Sequence, residues 1–131
     1  MRLRFLLSCS AVCLFAATIC LAQDPVKVDP KHYKVESENA QVRILRIHYG
    51  AHEKSVMHSH PDSVVVYLSD GTIRMTTPDG KTQDFTGKTG QTLFTPAGVH
   101  KPENTGNAAF DAILVELKGA KSPAAAKPAK K

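Results

Sequence analysis

The sequence predicts an all-β domain, a sandwich or barrel of short strands. Three observations point there. Runs rich in branched and aromatic residues recur at short spacing, turn residues punctuate them, and no stretch among them has a convincing helical period. In chain order the runs are Val42 to Tyr49, the continuously apolar Val64 to Leu68, the alternating Thr72 to Thr77, Thr82 to Thr86, Thr92 to Thr95, and Phe110 to Leu117. Asp70-Gly71 and Asp79-Gly80 stand between runs and supply the positive φ of tight hairpin turns. Gly87 to Gly90 and Asn104 to Asn107 read as further reversals. The middle of the chain is therefore expected to be a series of antiparallel hairpins. Met57, Met75, Phe85, Phe94 and Phe110 are the simplest candidates for its core, and Tyr67 for the core or a cavity wall.

The flanks differ in kind. Residues 1–22 have a basic start at Arg2 and Arg4, then an acid-free apolar run, then Cys20-Leu21-Ala22 before polar Gln23. This is the layout of a secretory signal peptide cleaved after Ala22, with a retained anchor as the alternative. Leu6-Leu7-Ser8-Cys9 has the look of a lipoprotein box, but too short an apolar run precedes it. The protein is expected to be secreted or periplasmic, with no stable membrane insertion after cleavage. Residues 23–39 form an arm or first edge strand, residues 40–118 the barrel, and residues 119–131, rich in Ala, Lys and Pro, a disordered basic tail.

Composition excludes several classes of function. Cys9, Cys13 and Cys20 all lie in the leader, so the mature chain has neither disulfide nor thiol nucleophile. The net charge of +5 arises from the ends: Arg2 and Arg4 leave with the leader, and Lys118, Lys121, Lys127, Lys130 and Lys131 sit at or beyond the last apolar run. The body is slightly acidic, which argues against a nucleic-acid-binding face. No phosphate-cradling glycine loop and no nucleophile–base pair stands out.

The histidines carry the chemistry. In a strand, residues two apart share a face, so His58 and His60 in His58-Ser59-His60 can reach one point. Neutral imidazole is a ligand for iron, manganese, nickel, copper and zinc. Gly90 to His100 then ends a strand at Pro96 and delivers a third histidine.

Two motifs together resemble the cupin family. Gly90, Pro96, Gly98, His100 and Asn104 resemble its second motif, and His58-Ser59-His60 followed by Gly71 resembles its first. The resemblance covers about residues 40 to 117. It implies a double-stranded β-helix, the jelly-roll barrel, with His58, His60 and His100 as ligands of one divalent metal ion such as Fe, Mn, Ni or Zn. Pro96 and Gly98 would aim His100 inward, and Asn104 would fix the following turn. The family's glutamate ligand is missing: counting back from Gly71 places it at Val64, and the other permitted position is Val65. Gly98 stands one residue nearer His100 than is usual, and Gly50 lies further from His58 than the first-motif glycine usually does. Three neutral imidazoles leave the ion its full +2 charge and open coordination positions. The expected function is metal-dependent chemistry on a small molecule, an oxygenase or isomerase, or alternatively a non-catalytic small-ligand binding or sensing module. A homodimer through an edge strand is a further implication of the resemblance.

Other polar residues receive modest roles. His52 and Glu53 are expected to be exposed loop residues, Asp62 to point away from the site, and His32 and His48 to matter little to metal binding.

Overall fold

The computed structural model describes residues 23–119; the predicted leader and residues 120–131 of the predicted tail lie outside them. A short helix, α1 (Pro25–Val28), is followed by nine strands: β1 (Tyr33–Glu38), β2 (Val42–Tyr49), β3 (His58–His60), β4 (Ser63–Tyr67), β5 (Gly71–Thr76), β6 (Thr82–Gly87), β7 (Thr92–Thr95), β8 (Gly98–Asn104) and β9 (Phe110–Leu117). They form two antiparallel sheets, a five-stranded one in the order β1-β2-β9-β4-β7 and a four-stranded one in the order β3-β8-β5-β6. Among the described residues no helix is long and apolar enough to cross a membrane.

The core follows from period-two burial. Along β9, Phe110, Ala112, Leu114 and Glu116 are buried and the residues between them half-buried. Leu45, Ile47 and Tyr49 do the same on β2 and pair across the sheet with Leu114, Ala112 and Phe110. Side chains alternate across a pleated strand, so the two strands together present one apolar wall inward. Tyr33 and Tyr67 complete it from the same sheet, whereas the four-stranded sheet contributes only Ile73 to the fully buried cluster.

The all-β barrel is as expected, but its connections are not a series of hairpins. β5 and β6 do form one, turning at Gly80 with φ 82°. β4 and β5 belong to different sheets, so Asp70-Gly71 carries the chain across the barrel. Gly71 has no positive φ; it is small because a Cβ there would stand 2.7 Å from the Phe110 ring. Strand β8 is hidden in the sequence by Pro102, which lacks the N–H that a ladder uses. Phe94, expected in the core, is 55% exposed on the edge strand β7.

Candidate metal centre

Strand geometry assembles the site. His58 and His60 are the two buried ends of β3, with half-buried Ser59 between them. β8 pairs antiparallel with β3 in a register that sets His100 opposite His58. The ring centroids are 4.9 Å apart for His58 and His60, 5.1 Å for His58 and His100, and 5.3 Å for His60 and His100. One nitrogen from each ring lies within 4.8 Å of the others. The Tyr33 ring packs against His58 and His60, with centroids at 4.9 and 5.6 Å, and limits their rotation.

Hydrogen bonds decide which nitrogen faces the cluster. Nδ1 of His58 lies 2.8 Å from the Val56 carbonyl, which can only accept, so Nδ1 carries the proton. His58 Nε2 is buried and has no hydrogen-bond partner. On the far side of His58, Ser55 Oγ stands 3.2 Å from Nδ1 and donates to the buried Asp29 carboxylate. Nδ1 of His60 lies 2.7 Å from Glu116 Oε1, while Glu116 Oε2 accepts from Arg43 Nε and Arg43 Nη1 donates to Asp24. His58 and His60 are thus gripped from behind, an arrangement that orients metal-binding imidazoles.

Electrostatics agrees with this geometry. Burial, and then the neighbouring His60, pushes His58 down to about 4; burial, then His60 and His58, pushes His100 down to about 3. Both rings are neutral at pH 7, the form that binds a metal. Burial pushes the Glu116 carboxyl up, but hydrogen bonds from His60 and Arg43 outweigh it and hold Glu116 below the usual carboxylate range. A buried imidazole nitrogen with no partner costs stability in an apolar surrounding. Three converging nitrogen donors, one of them orphaned, fit a divalent ion in both number and ligand type.

The cluster opens onto a cavity of about 960 Å³. His60 and His100 line it beside Ile47, Val65, Phe85 and Leu114, so a mostly apolar chamber adjoins the polar end. Asp79 and Lys81, both exposed, also line it.

Most other sequence expectations can now be placed. His52 is exposed and bonds Asn107, and His48 is exposed and bonds Asp111. Asp62 is buried and accepts the Ala97 N–H at 2.7 Å, outside the histidine group. Two residues are more engaged than their modest roles implied. Glu53 is no idle loop residue: it accepts from the Gly50 N–H and meets Lys31 and His32. His32 is itself buried, stacked on Tyr49 at 4.4 Å and held between Asp29 and Glu53, so a network leads from it through Asp29 and Ser55 to His58.

The missing-glutamate position also shifts. Val64 pairs with Val115 and faces out, whereas Val65 pairs with Leu114 and lines the cavity. Counting from Gly71 chose the wrong one of the two because face is set by β9 pairing and not by loop length.

The supports Glu116, Asp29, Ser55 and Tyr33, all buried, and half-buried Arg43 were not singled out from sequence. Glu116 had a readable signal: it continues the inward series Phe110, Ala112, Leu114 at spacing two, where a carboxylate is out of place. Asp29 and Ser55 lie in irregular segments and had none.

Comparison with known proteins agrees with this fold. The sequence profile described as the cupin domain matches residues 45–116. A cupin domain from Bordetella pertussis Tohama I is 24% identical, with a TM-score of 0.62 over 66% of this chain and 92% of that one. A conserved protein with a double-stranded β-helix domain from Klebsiella pneumoniae is 20% identical, with a TM-score of 0.55 over 69% of this chain and 78% of that one. An RmlC-like cupin family protein from Methanocaldococcus jannaschii is 19% identical, with a TM-score of 0.50 over 68% of this chain and 83% of that one. These likenesses concern the fold. No curated protein matches the chain. The profile match spans more than half of the sequence, and the chain belongs to the cupin family.

Proposed function

We propose that this cupin is an exported protein that holds one divalent metal ion through His58, His60 and His100 and binds a small molecule in the adjoining cavity. The observation that carries the proposal is the buried, unpartnered Nε2 of His58 among three imidazoles. A bound ion would act as a Lewis acid or redox centre with open positions for ligand. The chain's own part is to keep His58 and His100 neutral, to orient the rings, and to surround the reacting end with apolar wall. The mostly apolar lining favours a molecule with an apolar body and one metal-coordinating head, and an ion whose ligands are all neutral imidazoles favours an oxygen-rich head.

The catalytic form of this proposal is a metal-dependent oxygenase or isomerase. A non-catalytic small-ligand module is the second reading, and one observation favours it: among the described residues that line the cavity, the only carboxylate and the only amine are the exposed Asp79 and Lys81. Glu116, the carboxylate that meets His60, is held by Arg43 and lies outside the lining.

Elemental analysis of protein purified without chelators tests the metal. Wild type should carry about one first-row divalent ion per chain, and a His58→Ala/His60→Ala/His100→Ala variant none. Equal content in the two would refute the proposal. Oxygen uptake or product formation from thiol acids, diketones and small carboxylates, lost in His100→Ala, would select the enzyme; saturable binding without turnover would select the module.

A further inference from the structure

Glu116 is an anomaly of the fold. It sits at the end of an inward-facing apolar series and is 2% exposed. Both of its oxygens are engaged, Oε1 with His60 and Oε2 with Arg43, so it is not free to turn toward the cluster. Arg43 is its direct neighbour across the β2–β9 ladder, and Ser63 is its neighbour across β4–β9. Arg43 is in turn held by Asp24, the residue that caps α1 by accepting the Val26 N–H.

Charge and proton placement follow from these contacts. With both carboxylates ionised, Asp24, Arg43 and Glu116 together carry one net negative charge beside the histidines. An ionised carboxylate can only accept, so the hydrogen of the His60–Glu116 bond sits on Nδ1. A neutral His60 then has its lone pair on Nε2. A carboxylate behind an imidazole also raises its strength as a donor.

We infer that Glu116, clamped by Arg43, is the positioning residue of the histidine cluster: it fixes the His60 tautomer with Nε2 as the donor and supplies the buried negative charge that offsets a divalent ion there. This inference rests on the proposed metal site, but its tautomer half concerns the metal-free protein and can be tested alone. Glu116 itself touches neither ion nor ligand.

Two variants separate its two roles. Glu116→Gln keeps an acceptor oxygen for Nδ1–H and removes the charge. Glu116→Leu removes both. Folding of each is checked by circular dichroism, and Glu116→Asp, which withdraws the carboxylate by one methylene, replaces the leucine variant if that one does not fold. Long-range proton–nitrogen NMR of the metal-free protein should show His60 protonated at Nδ1 in wild type and Glu116→Gln, and a mixture of tautomers in Glu116→Leu. Zinc affinity, measured by competition with a chromophoric chelator, should fall about 10–100-fold in Glu116→Leu and by a smaller factor in Glu116→Gln. The visible spectrum of the cobalt-loaded protein should shift in both.

A neutral His60 protonated at Nε2 and not at Nδ1 in wild type would overturn the positioning role, whatever the metal does. Equal affinity of Glu116→Gln and wild type would overturn the charge role. Equal zinc affinity of wild type and the triple-histidine variant would instead refute the metal site and leave the tautomer result standing.

Discussion

The two sheets divide the labour of this barrel. The five-stranded sheet supplies most of the buried apolar cluster: Tyr33 from β1, Leu45, Ile47 and Tyr49 from β2, Tyr67 from β4, and Phe110, Ala112 and Leu114 from β9. The four-stranded sheet supplies all three clustered histidines, from β3 and β8, and only Ile73 of that cluster. The groups that grip His60 come from the first sheet: Glu116 reaches it from β9, with Arg43 of β2 behind. Donor groups thus stand on the sheet with the thinner core, and the sheet opposite orients His60. This arrangement separates stability from binding, since a change in one sheet can weaken the fold and spare the donor atoms, and the converse holds for the other.

The strongest way to break this contrast is a deletion in the richer core. Leu45→Ala, at a fully buried position, should cost about 2–5 kcal/mol of stability, read from denaturant unfolding, while folded protein keeps its zinc affinity. The triple-histidine variant should show the reverse, with metal binding abolished and a smaller loss of metal-free stability. A loss as large as that of Leu45→Ala would show that the histidines are part of the core.

Next in size is the seam where the sheets touch. A Cβ on Gly87 of β6 would stand 2.0 Å from the Tyr67 ring of β4. Gly87→Ala should therefore cost about 1–3 kcal/mol by overpacking, measured in the same way. A variant as stable as wild type would mean that the sheets can separate there freely.

Acid should act through the histidine sheet. His58 and His100 in the folded, metal-free protein sit at about 4 and 3, below the ordinary value near 6.5. The unfolded chain therefore takes up protons first as pH falls. Their contribution to stability is present above about 6.5, declines as pH falls toward 4, and is lost once pH passes through 3. Glu116, also held below its ordinary value, adds to the loss in the lower part of that range. A melting-temperature profile should slope less steeply in the triple-histidine variant; parallel profiles would contradict the buried, neutral rings.

A finer contrast lies on one strand. Val65→Glu places a carboxylate on the cavity wall and should tighten zinc binding at some cost to metal-free stability, whereas Val64→Glu should leave zinc affinity unchanged. Identical affinities in the two variants would show the wrong inward face. The smallest effect is expected at exposed His48, where alanine should change stability by no more than about 0.5 kcal/mol and leave metal content intact.

Period-two patterning made much of this protein legible in advance. Branched runs located β2, β4, β5, β6, β7 and β9 closely, because a strand that faces a core on one side must alternate. The His-x-His spacing put two imidazoles on one face by strand geometry alone, and Asp79-Gly80 announced its hairpin because few residues tolerate positive φ. What the sequence could not determine was pairing. A strand's partner is chosen by long-range burial, so nothing local shows that β4 lies between β9 and β7, or that β8 bridges β3 and β5. Only that tertiary pairing set His100 opposite His58, turned Val65 inward in place of Val64, and brought Glu116 and Arg43 behind His60. Residue types and their spacing determined which groups could do chemistry; the register between distant strands decided which of them meet.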